Sequence, residues 1–289
     1  MSSCVIDIGS NTIRAVVFDE QRNVIFNHAV ASWLFDYTEN AVLSAAGIDK
    51  LCAAVGELCR VSACFGCDYY AFATSAFRDL ENGEAVCDAV FAQCNIKIRV
   101  LSGADEAECD YLGIRESIGA VCGIGVDLGG GSCQVLDFDA QNLQKSSSIP
   151  AGTARLVHKF IPRLPPEPTE IDEIYAYIND ALDGLGFLRK DGREIYAIGG
   201  SARAALQLKR AIMGNSPENS ITTHELCELI KLAQEPGTDK LFFSIVRARH
   251  KTVIAGAAVL LAIANYVGAS RINVLSCGVR EGFIKKYIN

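Results

Sequence analysis

One pattern occurs twice in this chain and limits the folds open to it. VIDIGSNTIRAVVFDE near the N-terminus reads as a buried strand over Val5–Ile8, a tight turn, and a second strand over Ile13–Phe18. GIGVDLGGGSCQVLDFDA, from Gly123 to Ala140, repeats strand, glycine-rich turn and strand. Aligning the turns pairs Asp7 with Asp127, Gly9 with Gly129, Asn11 with Gly131 and Thr12 with Ser132, all 120 residues apart. Asn and Gly are the residues that best tolerate positive φ, so the Asn11/Gly131 pair suits a tight turn. The repeat marks an internal duplication.

Helices and strands alternate around each copy. Apolar spacing predicts helices over Ile48–Cys64, Gly83–Cys94 and Asp105–Ile118, the last with an acidic first turn that suits its dipole. Strands are predicted at Tyr69–Ala76, running into a loop, and at Ile96–Leu101. After the second copy, Pro162–Pro168 is a loop and Thr169–Leu185 a helix. Glu194–Ile198 is a strand ending in Gly199-Gly200-Ser201, where a helix begins. Further helices are expected at Thr223–Ala233, behind the capping-box spacing of Thr222 and Glu225, at Thr252–Val267 and at Gly282–Ile288, with a strand at Arg271–Leu275. The chain thus reads as two similar α/β domains, 1–121 and 122–289, the terminal helix being free to pack back on the first.

Composition narrows the function classes. A length of 289 residues suits two domains, and a chain that is 50% hydrophobic and 21% charged is not disordered. A net charge of −7 excludes a general nucleic-acid binder, though not a local basic cleft. The longest apolar run, Ala255–Ala269, is shorter than the roughly 20 residues that span a bilayer, so no membrane partner is expected. Twelve cysteines without a secretory signal indicate free thiols in a reducing cytoplasm. Cys64-Phe-Gly-Cys67, with Cys59 nearby, has the spacing of a metal or redox site, but no second Cys-x-x-Cys or His pair accompanies it.

A glycine-rich turn between strands lets backbone N–H groups approach an oxyanion, and the hydroxyls of Ser10, Thr12 and Ser132 add donors. Asp7 and Asp127 end buried strands, where a carboxylate needs a partner; Mg²⁺ bridging them to phosphate oxygens would supply it. Two such turns facing each other across an interdomain cleft would clamp a phosphate chain. Arg14 shares a strand face with Thr12. A dinucleotide-binding reading of Gly123-Ile-Gly125 fails, because the third glycine is missing and a strand follows.

VIDIGSNTIRAVV, ATSAFRD, VLSGADEAE, GVDLGGGSCQVL, IPAGTARL, YAIGGSARA and VLSCGVREGFI follow one another along nearly the full length. In these motifs the chain resembles the exopolyphosphatase / guanosine pentaphosphate phosphatase (Ppx/GppA) family, within the actin-like, ribonuclease H-like superfamily of sugar kinases and Hsp70. The resemblance implies two duplicated actin-like domains and Mg²⁺-dependent hydrolysis of terminal phosphoanhydride bonds in inorganic polyphosphate or guanosine pentaphosphate. Glu106 matches the carboxylate that activates the attacking water, with Asp105 as the fallback and plain dipole pairing as the bland alternative. Arg78 matches an arginine that contacts phosphate; its alternative is a salt bridge with Asp79. Ser10, Asn11, Thr12 and Gly129, Gly130, Gly131 and Ser132 would cradle phosphates with Arg14, and Gly9 would make the first turn. Arg155 also matches a family position. Gly199, Gly200 and Ser201 match a loop that contacts a nucleoside in superfamily members.

Two departures qualify the resemblance. The family's usual DxGGGSxE reads DLGGGSCQ here, so a carboxylate that helps hold metal or water becomes Gln134. Gln is neither a base nor a strong Mg²⁺ ligand, which keeps open a phosphate- or nucleotide-binding regulator of weak activity. The chain also stops at Asn289, without the helical HD-type domain of long members, which favours short polyphosphate. A kinase of the same superfamily is the third reading, disfavoured by ATSAFRD and by the lack of an acceptor-binding insert. A homodimer is compatible with the sequence, with no segment marking its interface.

Overall fold

The computed structural model describes residues 2–214 and 217–288. It forms two compact units, Met1–Asp105 and Glu106–Asn289.

The first unit opens with β1 (Ser3–Ile8), β2 (Thr12–Phe18) and β3 (Val24–Ala31), then the short hairpin β4 (Thr38–Glu39) and β5 (Val42–Leu43). It continues through α1 (Ala45–Ser62), β6 (Asp68–Ala73), α2 (Ser75–Arg78), α3 (Gly83–Cys94) and β7 (Ile98–Val100). Its main sheet has the order β3-β2-β1-β6-β7. The first three strands are antiparallel neighbours, and β1, β6 and β7 run parallel. The even-numbered side chains of β1 (Cys4, Ile6, Ile8) join Leu51, Val55 and Leu58 of α1 in one core.

The second unit takes in α4 (Gly103–Ile118) from Glu106, followed by β8 (Gly123–Leu128), β9 (Cys133–Phe138) and β10 (Leu143–Ile149). Then come α5 (Thr153–Phe160), α6 (Pro168–Asp183), β11 (Ile195–Ile198), α7 (Gly200–Met213) and β12 (Ser220–Thr222). The unit closes with α8 (Thr223–Ala233), α9 (Thr238–Val246), α10 (Val253–Val267), β13 (Arg271–Val274) and α11 (Val279–Tyr287). Its sheet order is β10-β9-β8-β11-β13-β12. Three antiparallel strands followed by two parallel ones repeat the first sheet, with β12 added antiparallel at the edge. The duplication seen in the turns therefore extends to the whole topology.

The division falls between Asp105 and Glu106, earlier than the 121/122 boundary read from the sequence. The reason is the packing of α4 against α11. A Cβ built on Gly282 would lie 1.7 Å from the Cys109 carbonyl oxygen, and one on Gly113 would lie 2.6 Å from that of Gly278. Lys285 and Lys286 of α11 pair with Glu116 and Glu108 of α4. The terminal helix thus packs on α4, inside its own unit. It starts at Val279, three residues before its predicted start, because the Glu281 carboxylate accepts from the Gly278 N–H at 2.8 Å.

Gly282→Ala is therefore expected to destabilise by about 3 kcal/mol, a fall in thermal midpoint of roughly 6–10 °C. Gly-to-Ala inside a helix ordinarily gains about 1 kcal/mol, so the sign separates the close approach from helix propensity.

α10 is buried along almost its whole length, which explains its uninterrupted apolar sequence. Among the described residues no helix is long and apolar enough to cross a membrane.

Candidate functional site

The two glycine turns close in the same way. In the first unit the Gly9 N–H donates to the Thr12 carbonyl at 3.1 Å; in the second the Gly129 N–H donates to that of Ser132, also at 3.1 Å. In both units the neighbouring segment ties the turn's carbonyls down. Leu34 N–H donates to the Ser10 carbonyl (2.8 Å), and Ser32 N–H to that of Asn11 (2.9 Å). In the second unit the start of α5 does this work. Thr153 N–H donates to Gly129 O (3.0 Å), Ala154 N–H to Gly130 O (2.9 Å) and Arg155 Nε to Gly131 O (2.8 Å). Arg155 thus has a structural task, clamping the glycine turn. With its carbonyls occupied, such a turn presents its N–H groups to an anion.

Ser10, Asn11 and Ser132 are buried, and Thr12 is half-buried. Both polar atoms of the Asn11 amide are buried without a hydrogen-bond partner among the described residues, an arrangement that favours a polar ligand at the turn. Register places Arg14 directly across from Asp7, and its guanidinium donates to Asn27 on β3. Arg78 ends α2, a short helix where the sequence predicts a strand running into a loop, and its Nη1 donates to the Leu101 carbonyl at 2.9 Å.

In the second unit Asp127 and Gln134 are direct cross-strand partners, so their side chains share a face. Leu136 and Phe138 on that face pack against Ala107, Tyr111 and Ile114 of α4. Ile114 also touches the position of Gly125, which pairs with Leu136. Asp127 and Gln134 therefore lie one step further along, towards the first turns of α4, where Glu106 and Asp110 are buried.

Of the acidic residues at the start of α4, two are otherwise engaged. Asp105 takes part in the cap, accepting from Ser102 Oγ at 2.6 Å while its own N–H donates to Ser102 Oγ at 3.0 Å. Glu108 pairs with Lys286 at 2.7 Å. Asp110, one turn on from Glu106, was not singled out by sequence reading; the i, i+4 spacing of two acids on one helix face was its available signal. Glu106 is 4% exposed. The Cys133 thiol, fully enclosed beside the turn, is held well above its ordinary range by burial and then by the nearby Asp127, Asp110 and Glu106. All three acids are thus gathered around the base of the glycine turn.

Gly199, at the head of the loop Gly199-Gly200-Ser201, lies beside this centre. Ile198 pairs with Asp127, and a Cβ on Gly199 (φ 94°) would lie 2.8 Å from Asp127 Oδ1 and 2.7 Å from the Leu128 carbonyl oxygen. α7 starts at Gly200, and Ser201 Oγ lies 3.2 Å from Thr153 Oγ1. Arg249 was also missed by the sequence reading. Its guanidinium fills the space beside Gly200, 2.5 Å from where a Cβ would be, so glycine there admits a cation to this loop.

Gln134 is almost wholly enclosed; its Nε2 donates to Ser132 Oγ at 3.2 Å, and its Oε1 has no partner among the described residues. Among those residues no three His, Cys, Asp or Glu side chains converge as a self-contained metal cage, the Cys-x-x-Cys region included.

Comparison with known proteins follows the same lines. A profile described as the Ppx/GppA phosphatase family matches residues 14–288. Exopolyphosphatase 1 of Mycobacterium leprae is 25% identical over 301 residues, covering 99% of this chain and 89% of the relative. A crystal structure of an exopolyphosphatase from Cytophaga hutchinsonii superposes with a TM-score of 0.86 at 18% identity, covering 99% of this chain and 97% of the other. That of the Aquifex aeolicus Ppx/GppA family member gives 0.80 at 20%, covering 100% and 97%. The fold is the duplicated actin-like α/β fold that the motifs implied.

Proposed function

Since the chain belongs to the Ppx/GppA phosphatase family, we propose that it hydrolyses phosphoanhydride bonds, releasing the terminal phosphate of inorganic polyphosphate or of guanosine pentaphosphate. The observation that supports this most is the burial of Glu106 in the same neighbourhood as Asp127, beside a glycine turn whose carbonyls are tied back.

Phosphoryl transfer asks a protein for positioning and charge neutralisation more than for covalent help. In the second unit the N–H groups of Gly130–Ser132 bind phosphate oxygens. In the first unit the N–H groups of Ser10–Thr12 are the equivalent donors, and Arg14 and Arg78 add positive charge there. Glu106 accepts a proton from the attacking water at its carboxylate, as the new O–P bond forms and the bridging O–P bond breaks. Gln134 Nε2 holds Ser132 Oγ as an acceptor, so the Ser132 hydroxyl hydrogen is available to a phosphate oxygen.

The donor set suits Mg²⁺. The Asp127 carboxylate and the unpartnered Gln134 Oε1 are hard oxygen ligands, and Mg²⁺ is commonly bound through one or two carboxylates plus substrate phosphates. Asp127 would hold the ion here, and Asp7 occupies the equivalent place in the first unit. When bound, the ion neutralises phosphate charge.

Gln134→Glu tests this assignment. It sets a second carboxylate across from Asp127, so the Mg²⁺-free protein is expected to lose about 1 kcal/mol, with Mg²⁺ restoring it. The Mg²⁺ concentration for half-maximal phosphate release is expected to fall by about tenfold, close to 1.4 kcal/mol of affinity. An unchanged Mg²⁺ requirement would remove Gln134 and Asp127 from the metal site.

The neutral Gln134 also favours a second reading, a phosphate- or nucleotide-binding regulator with little turnover. Orthophosphate release with Mg²⁺ and no acceptor supports the hydrolase. Tight polyphosphate binding without release supports the regulator, and release only on adding an acceptor supports a kinase.

A further inference from the structure

The proposed chemistry gives no task to one cation beside its centre. Arg249 belongs to the run Arg247-Ala248-Arg249-His250-Lys251, which joins α9 to α10. Between Asp239 and Glu281 the chain has no acidic residue, although its net charge is −7.

Arg249 is fixed at both ends. Its N–H donates to the Val246 carbonyl at 2.7 Å, and its own carbonyl accepts from the N–H groups of Thr252 and Val253, each at 2.9 Å, where the buried α10 begins. α10 in turn packs on the start of α7: a Cβ on Gly256 would lie 3.0 Å from Ser201 Cβ. At the other end the guanidinium lies along the open side of Gly200. A Cβ there would be 2.5 Å from Nη2, 2.7 Å from Cζ and 3.0 Å from Nε. The adjacent Gly199 abuts Asp127 Oδ1, the carboxylate assigned to the metal. A fixed positive charge thus stands one residue along the loop from that carboxylate.

We propose that Arg249 selects the substrate, favouring inorganic polyphosphate over guanosine pentaphosphate by binding a phosphate further along the chain than the one released. This rests on the hydrolase reading and adds the substrate class to it. The guanidinium fork suits two oxygens of one phosphate. Polyphosphate carries negative charge on every unit, so it offers such a group wherever the chain passes this loop. Guanosine pentaphosphate interrupts its phosphates with an uncharged ribose and guanine. The neighbourhood suits a polyanion better than these groups. Even Phe243, the exposed ring near the end of α9, has Arg247 over it at 5.4 Å and His250 against its edge at 4.9 Å.

Arg249 would hold an oxygen away from the bond that breaks. Its contact is then the same before and during the reaction, so its loss should raise KM and leave kcat nearly constant.

The test compares orthophosphate release from polyphosphate of one defined length and from guanosine pentaphosphate, with Mg²⁺. In Arg249→Ala the ratio of the two kcat/KM values, polyphosphate over guanosine pentaphosphate, should fall by about 10–100-fold, through the KM for polyphosphate. Both substrates meet the same enzyme, so the ratio cancels any loss of folded protein. Arg249→Lys keeps the charge without the fork and should recover only part of the ratio. Gly200→Ala pushes the guanidinium off the loop with its charge intact and should move the ratio in the same direction. An unchanged ratio in Arg249→Ala, or one that rises, overturns the proposal. Dissociation constants for both compounds, measured in parallel with Glu106→Gln added, separate this inference from the reading beneath it. If the wild type releases no orthophosphate from either compound, hydrolysis fails. A fall in affinity confined to polyphosphate in Arg249→Ala then still supports selection, and equal affinities refute it.

Discussion

Glu106→Gln is expected to lower phosphate release by roughly 10²–10⁴-fold while leaving substrate affinity and thermal midpoint nearly unchanged. The substitution keeps the shape of a side chain that is 4% exposed and removes its negative charge and its capacity to take a proton. Affinity should hold because phosphate binding is assigned to the turn N–H groups and the arginines. Asp105→Asn is the matched control. Its carboxylate accepts from Ser102 Oγ in the cap at the start of α4, so this variant should lose about 1 kcal/mol of stability and no more than a few-fold in turnover. Turnover, polyphosphate affinity and melting measured on both variants separate the two acids. A large loss of turnover in Asp105→Asn with full activity in Glu106→Gln would reverse their roles.

Gly152→Ala is expected to cost at least 100-fold in turnover and about 3 kcal/mol in stability. Gly152 has φ −69° and ψ 146°, which alanine adopts freely, so backbone strain contributes nothing. The obstacle is contact: an added Cβ would lie 2.3 Å from the Gly131 carbonyl carbon and 2.4 Å from the Gly130 carbonyl oxygen. These are backbone atoms, so either the turn or the start of α5 must shift. The bonds from Thr153, Ala154 and Arg155 that tie back the glycine carbonyls would go with it. Gly184→Ala supplies the contrast. Its nearest contact would be 3.5 Å, from the Ala181 carbonyl oxygen, and little change is expected. Steady-state phosphate release and thermal melting of the two variants check the pair; equal behaviour would mean that the α5 clamp does not set the turn.

The turns were legible because both copies carry the same punctuation, Asp-x-Gly followed two residues on by Asn or Gly. The helices with strong apolar spacing or caps were legible as well: α3 and α8 lie at their predicted positions, the latter held by the reciprocal bonds of Thr222 and Glu225. β3 and β10 escaped because they are edge strands whose polar residues (His28 and Asn27, or the three serines Ser146–Ser148) carry no strand propensity. Their pairing is decided by the adjacent strand. α5 escaped because Gly152-Thr153 reads as a turn until the glycine carbonyls that its N-terminus binds are in place. Arg249 and Asp110 lie in no glycine turn, and only folding brings them to Gly200 and to the Cys133 neighbourhood. The same holds for choosing between Asp105 and Glu106: composition gives two adjacent acids, and the cap identifies which of them is already occupied.

The most direct measurement follows the products formed from polyphosphate of one defined length, with Mg²⁺ and without an acceptor. Orthophosphate should be the only small product from the first time points, the chain shortening one unit at a time, and Glu106→Gln should stop both. Mid-length fragments appearing ahead of orthophosphate, or bound polyphosphate that stays at full length with the wild-type protein, would contradict terminal hydrolysis at this site.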